Sequence, residues 1–248
     1  MFISNENKSP DIPDVEYRGI SRPGLFSCIA DADSRRKEFD IKNQCLIFHK
    51  QHIDFLFIGD SITDFWDLNT YFDCRNNFIV NRGIGGDIIS NLKRRFYADC
   101  VQLNPKYVIL QIGINDANAL EPNIWKALPG KSLDSVISKA QSDYTQLLEI
   151  MEDYQIKPII CSLLPTNMTF SPVNKERQLY VLAMNQFLST YCKTKDLIFI
   201  DYFKELVKDD GVSIIDNITQ EGLHPLVHGY DIMADTLRNT LAKFSILL

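Results

Sequence analysis

Long apolar runs are missing from this 248-residue sequence. None approaches the roughly 20 residues needed to span a bilayer. The opening MFISNENKSP lacks the basic-then-apolar pattern of a secretory leader, so the expected location is cytoplasmic. Blocks of positive charge are missing too. With 26 Lys and Arg against 32 Asp and Glu the net charge is −6, which argues against a nucleic acid or an anionic membrane surface as partner. Paired cysteines are also absent. Cys28, Cys45, Cys74, Cys100, Cys161 and Cys192 form no CxxC, so neither a zinc site nor a thioredoxin-type motif is suggested, and they read as mostly buried small apolar residues. His49 and His52 make an HxxH without a third ligand in view, and His228 reads as structural, so no metal is expected. Internal repeats, low-complexity tracts and an interdomain linker are not found.

What remains is an ordinary globular composition, 45% hydrophobic, long enough for one large domain or two small ones. Residues 1–32 hold three prolines and no sustained periodicity and read as an extended arm laid over something else. From Ser34 to Lys50, Ile41, Cys45 and Phe48 recur at helical spacing, with Leu46 beside them and a charged face opposite. Residues 1–53 are therefore expected to be an arm and helix packed on a main domain of residues 54–248. In that domain short apolar runs (Phe55–Ile58, Phe78–Val80, Tyr107–Ile112, Ile159–Cys161 and Leu197–Ile200) alternate with amphipathic stretches. Runs apolar on both faces are those of parallel strands covered on each side. Helices are expected from Leu133 to Met151 with Ser132 as N-cap, from about Lys175 to Lys193 through Leu179, Ala183, Phe187 and Tyr191, and from Tyr230 to Phe244. The pattern predicts an α/β sandwich with a parallel sheet and right-handed crossovers.

In such a sheet, chemistry sits on loops beyond the carboxyl ends of the strands. Four polar clusters lie there: Gly59-Asp60-Ser61-Ile62-Thr63 after the first run, Asn81-Arg82-Gly83-Ile84-Gly85-Gly86-Asp87 after the second, Gly113-Ile114-Asn115-Asp116 after the third, and Glu221-Gly222-Leu223-His224-Pro225 after the fifth. Taken singly, each has an ordinary structural reading. Ser61 with Asp64 fits a helix capping box, or a nucleophile presented at a strand-to-helix turn. The glycine turn lacks the third glycine of GxGxxG and any GK[ST], which argues against a dinucleotide or P-loop site. Asn115 makes either an oxyanion donor or an Asx turn. His224 is a surface histidine or a base for Ser61, with Glu221 three residues upstream to hold its other nitrogen.

In this order the four clusters resemble the signature blocks of the SGNH hydrolases, or GDSL-type esterases, across roughly Asp54 to Phe244. GDSIT and the asparagine-initiated GIGGD look most like the branch containing the catalytic subunits of intracellular platelet-activating-factor acetylhydrolase. The resemblance implies a three-layer α/β/α, flavodoxin-like fold with a five-stranded parallel sheet, and metal-free, cofactor-free cleavage of acyl esters through an acyl-serine. It assigns Ser61 as nucleophile, His224 as base, Glu221 as acid, and Ser61, Gly86 and Asn115 as the oxyanion hole. The family's usual aspartate in the last block is Glu221 here, one methylene longer, with Asp216 as the alternative carboxylate.

Asp60 and Trp125 are candidate substrate contacts. Trp125 sits with Pro122 and Pro129 on one rim loop, and Met168 and Phe170 on another, Pro165 to Val173. The expected substrate is a small-molecule ester, chiefly of a short acyl group such as acetyl. Lipid acylhydrolysis (lysophospholipase or thioesterase type) and non-catalytic binding on the same scaffold are the alternatives. A homo-oligomer is compatible with the sequence.

Overall fold

The computed structural model describes residues 30–122 and 127–248. Most of the expected arm, and Trp125, lie outside these residues. The chain runs α1 (Ala30–Phe48), β1 (Phe55–Gly59), α2 (Ser61–Asp64), α3 (Leu68–Tyr71), β2 (Ile79–Gly83), α4 (Ile89–Asp99), β3 (Tyr107–Gln111), α5 (Leu133–Asp153), β4 (Pro158–Cys161), α6 (Asn174–Lys195), β5 (Phe199–Ile200), α7 (Tyr202–Leu206) and α8 (Val227–Ala242). The five strands form one sheet of order β2-β1-β3-β4-β5, with every pairing parallel. β1 and β4 are buried at every residue. Because successive side chains point to opposite faces, helices must cover the sheet on both sides, which gives the expected three layers.

Strand order reverses between β1 and β3. Gly59 stands opposite both Gly83 of β2 and Gln111 of β3, so the loops leaving these three strands meet at one level of the sheet edge. That alignment brings three of the four polar clusters together.

Two helices turn a different face inward from the one their apolar spacing suggests. In α1, Ile41 is 64% exposed and Cys45 and Phe48 are also exposed, while Arg36, Phe39 and Asn43 are buried. The reason is electrostatic. Arg36 pairs with Asp99 and Asp40, Asn43 donates to Asp99 Oδ1 at 2.9 Å, and Arg35 and Arg82 lie over the ring of Phe39. In α6, Leu179 is 46% exposed, whereas Arg177, Tyr180, Val181, Met184, Leu188 and Cys192 face the core. Arg177 reaches Glu121 at 2.9 Å and Asn118 at 3.0 Å, rotating the buried stripe by about a residue.

Strand β2 extends past its apolar run through Asn81, Arg82 and Gly83, whose polar groups are satisfied locally. Arg82 donates to Asn43 Oδ1 at 2.8 and 2.9 Å. Helix α8 starts three residues earlier than its apolar spacing suggests, and Phe244 is exposed beyond its end. Among the described cysteines, Cys100, Cys161 and Cys192 are buried, as expected of most of them, and Cys45 and Cys74 are exposed; Cys28 lies outside the described residues.

Candidate active site

Ser61 is the first residue of α2, immediately beyond β1, and is buried apart from a small opening. The N-cap is Asp60, whose Oδ1 accepts the Ile62 N–H at 3.0 Å. This corrects the capping-box reading: the aspartate does the capping and the serine hydroxyl is left for other work. Asp64, the supposed return partner of that box, pairs with Arg35 at 2.6 Å and accepts the Gly85 N–H at 3.3 Å. Ser61 Oγ lies 2.8 Å from His224 Nε2.

His224 arrives on the loop ahead of α8. Glu221 Oε1 accepts the His224 backbone N–H at 2.9 Å and makes a short contact with the ring Nδ1. One carboxylate oxygen therefore sets both the backbone and the ring of the histidine. With Nδ1–H directed at Glu221, Nε2 is free to accept the Ser61 hydroxyl proton. The longer glutamate reaches because the loop is folded tightly. Gly222 has φ +86°, its carbonyl accepts the Asn167 N–H at 2.8 Å, and a Cβ there would fall 2.1 Å from the Asn167 carbonyl oxygen. Asp216, the alternative acid, is exposed and paired with Lys208 at 2.6 Å. Burial raises the Glu221 carboxyl, but hydrogen bonds from the His224 backbone and ring outweigh it and hold the group below the ordinary glutamate range.

The glycine turn after β2 is pinned from three directions. Asn81 Oδ1 accepts the Gly83 N–H at 2.8 Å, its Nδ2 donates to the Thr63 carbonyl at 2.7 Å, and the Ile84 N–H donates to the Gly59 carbonyl at 3.1 Å. Gly86 sits at φ +75°, a left-handed conformation that glycine adopts without strain. Next to it, the Asp87 carbonyl accepts Asn115 Nδ2 at 3.0 Å. Asn115 enters a 3₁₀ turn, Ile114–Leu120, from Gly113, whose carbonyl accepts the Tyr180 hydroxyl at 2.7 Å. The neighbouring Asp116 accepts the Ile89 N–H at 3.2 Å, tying this loop to the start of α4.

The structure thus joins Ser61, His224 and Glu221 in one hydrogen-bonded chain and joins the Asn115 side chain to the turn carrying Gly86. It does not make Asp60 a substrate contact. That expectation is corrected, because Asp60 is wholly buried beneath the serine turn. Burial, together with the nearby carboxylates of Asp87 and Asp116, pushes its carboxyl up to about 7, against the opposing pull of the Ile62 N–H and Arg95.

This raised value has a consequence for stability. In the unfolded chain Asp60 releases its proton near pH 4, so the folded protein binds a proton that the unfolded one has lost. Stability therefore falls as pH rises from about 4 to about 7 and levels off above. Asp60→Asn keeps an acceptor for Ile62 and cannot ionise. Its melting temperature relative to the unsubstituted protein is expected to climb between pH 4 and pH 8, equivalent to about 2–4 kcal/mol. A difference that does not change with pH would refute this.

Sequence reasoning missed the support beneath these loops. Arg95, fully buried on α4, donates to the Gly59 carbonyl and the Arg82 carbonyl, each at 2.9 Å, and pairs with Asp87 at 2.8 Å and Asp99 at 3.1 Å. The available signal was the spacing of Arg95 and Asp99, four apart on the buried side of a helix whose other inward residues are mainly apolar.

A serine, histidine and carboxylate in hydrogen-bonded series, beside a glycine turn and an asparagine amide on a parallel-sheet edge, form the arrangement from which serine hydrolases of several folds build a nucleophile. Residues 57–232 match the model of the GDSL-like Lipase/Acylhydrolase family, and the chain belongs to that family. Among solved structures, the fold is similar to a GDSL-like lipase from Bacteroides thetaiotaomicron VPI-5482, at 23% identity, TM-score 0.69, covering 84% of this chain and 97% of that one. It is also similar to the acetyl xylan esterase AlAXEase, at 19% identity, TM-score 0.56, covering 76% and 100%. A curated relative, "Uncharacterized lipoprotein YqeF" of Bacillus subtilis (strain 168), is 24% identical over an alignment of 165 residues that covers 58% of this chain and 63% of that protein. The chain thus spans under two thirds of the length of that relative.

The lipoprotein relative overturns the cytoplasmic expectation. That expectation rested on a missing leader pattern and a missing apolar run, and a lipid anchor requires no spanning helix. Among the described residues no helix is long and apolar enough to cross a membrane.

Proposed function

We propose that this protein hydrolyses esters of short acyl groups, acetyl foremost, with Ser61 as nucleophile, His224 as base and Glu221 as its acid partner. The observation that carries the reading is the Ser61–His224–Glu221 chain of hydrogen bonds at the sheet edge. Ser61 Oγ attacks the ester carbonyl carbon as His224 Nε2 takes its proton. The carbonyl oxygen becomes an oxyanion held by the Ser61 and Gly86 backbone N–H groups and Asn115 Nδ2. The bond to the alcohol oxygen then breaks, and His224 returns the proton to the departing alcohol. Water, deprotonated by the same nitrogen, attacks the acyl-serine, and the carboxylic acid leaves with the Ser61 hydroxyl restored. Glu221 holds the imidazole in the required tautomer and stays ionised below the ordinary glutamate range, offsetting the positive charge on the ring.

The preference for a short acyl group is supported by the name of one structural neighbour, an acetyl xylan esterase. The test is kcat/KM on p-nitrophenyl acetate, butyrate and octanoate. The acetate is expected to lead. A rise toward octanoate would favour lipid acylhydrolysis, and failure of a fluorophosphonate to label Ser61 would favour a non-catalytic binding protein.

Asn115→Ala removes one oxyanion donor, so kcat is expected to fall about 10²- to 10³-fold with KM little changed. Steady-state kinetics on the acetate checks this. A loss confined to KM would assign Asn115 to ground-state binding instead.

A further inference from the structure

Two aromatic residues in succession follow α2, and they go opposite ways. Trp66 is buried against Phe57, Phe72 and Tyr230. Phe65 is 61% exposed. A single exposed aromatic is unremarkable on a protein surface, but the placement of this one is not arbitrary. The Phe65 N–H donates to the Ser61 carbonyl at 2.9 Å, so its side chain rises from the same helix face one turn beyond the nucleophile. Its ring centroid stands 5.3 Å from that of His224, tilted at 48°. The ring thus flanks the imidazole on one side and is open to solvent on the other. The chain leaving His224 is also apolar and open, with Leu226 exposed and Val227 72% exposed, and the Val227 carbonyl is held by the Tyr71 hydroxyl at 3.2 Å.

His224 must hand its proton to the departing alcohol, so whatever adjoins the imidazole adjoins the alcohol half of the ester rather than its acyl half. We infer that Phe65 is a specificity-determining residue that forms a platform for the alcohol portion of the substrate, selecting esters whose alcohol presents a flat apolar face. An aryl-bearing alcohol and the C–H face of a pyranose share that chemistry. The inference rests on the esterase reading above and adds to it the half of the substrate that the acyl series does not probe.

The experiment keeps the acyl group constant and varies the alcohol: ethyl acetate, 2-phenylethyl acetate and a peracetylated methyl glucoside, with Phe65→Ala and Phe65→Trp. The ratio of kcat/KM for 2-phenylethyl acetate over ethyl acetate is expected to fall about threefold to tenfold in Phe65→Ala, through KM, and to recover in Phe65→Trp. The glucoside arm separates the two sources: a parallel fall in its ratio assigns the platform to sugar faces as well, and an unchanged ratio restricts it to aryl groups. Equal losses on all three esters would mean that Phe65 merely steadies His224 and would overturn the inference.

Binding of 2-phenylethyl acetate to the Ser61→Ala protein, followed by NMR titration with and without Phe65→Ala, reads the platform without turnover. Weaker binding in the double variant supports it, and unchanged binding overturns it. Loss of the esterase reading itself would show differently, as an unsubstituted protein no faster than Ser61→Ala on any ester.

Discussion

Ser61→Ala is expected to lower ester hydrolysis by about 10⁴- to 10⁶-fold while leaving the fold intact. The side chain loses one oxygen that does not cap α2 and whose hydrogen-bond partner is a side chain of the site. Its partner is His224 Nε2 at 2.8 Å, and the cap of α2 is supplied by Asp60. Thermal unfolding should therefore shift by no more than a degree or two while kcat collapses. The residual rate would come from the Gly86 and Asn115 donors, which still hold the carbonyl oxygen near solvent water. Comparison of kcat on the acetate with the melting curve of the same preparation checks both halves. A loss smaller than tenfold in a well-folded variant would remove Ser61 from the mechanism and send the search for a nucleophile elsewhere on the sheet edge.

Arg95→Met should have the largest effect on stability. Arg95 is fully buried and holds four neighbours: the carbonyls of Gly59 and Arg82 and the carboxylates of Asp87 and Asp99. Burial works against its charge, but the two carboxylates outweigh burial and drive the guanidinium further toward its charged form. Removing it leaves Asp87 and Asp99 buried with too little positive charge. The expected cost is about 3–5 kcal/mol, a large part of the 5–15 kcal/mol that holds a typical domain. Urea denaturation at pH 7 measures it.

The cost should shrink at pH 5. Burial already raises the Asp87 carboxyl despite the pull of Arg95, and without that pull it takes up a proton more readily. Arg95→Lys should rescue little, because one ammonium cannot replace donors aimed in several directions. A destabilisation under about 1 kcal/mol would show that the network contributes nothing net. Activity should also drop in whatever fraction remains folded, since Gly59 precedes the serine turn and Asp87 anchors Asn115.

The strands β1 and β3 were legible because parallel strands covered on both faces are apolar at nearly every residue, Gln111 at the end of β3 excepted, and the other five-residue elements do not read that way. The loops beyond them were legible because chemistry at a sheet edge requires small, turn-forming residues beside a few polar ones, and these stand contiguously in the chain. Helix faces were less legible. In α1 apolar spacing pointed to Ile41 and Cys45, yet the buried face carries Arg36, Phe39 and Asn43. Periodicity counts apolar residues and is blind to a charge whose partner lies on another element.

The chain by itself therefore determined the layered parallel sheet and pointed to the serine, the histidine and the asparagine as site candidates, because each follows from local pattern or from a short motif at a strand end. Only the tertiary structure decided which carboxylate hydrogen-bonds His224, that Asp60 rather than Ser61 caps α2, and that α1 and α4 share a buried ionic network under the site. Those outcomes depend on distances between residues as far apart in sequence as Arg36 and Asp99, and on loop conformations such as that of Gly222. Such pairings arise when the sheet assembles and leave no periodic trace along the sequence.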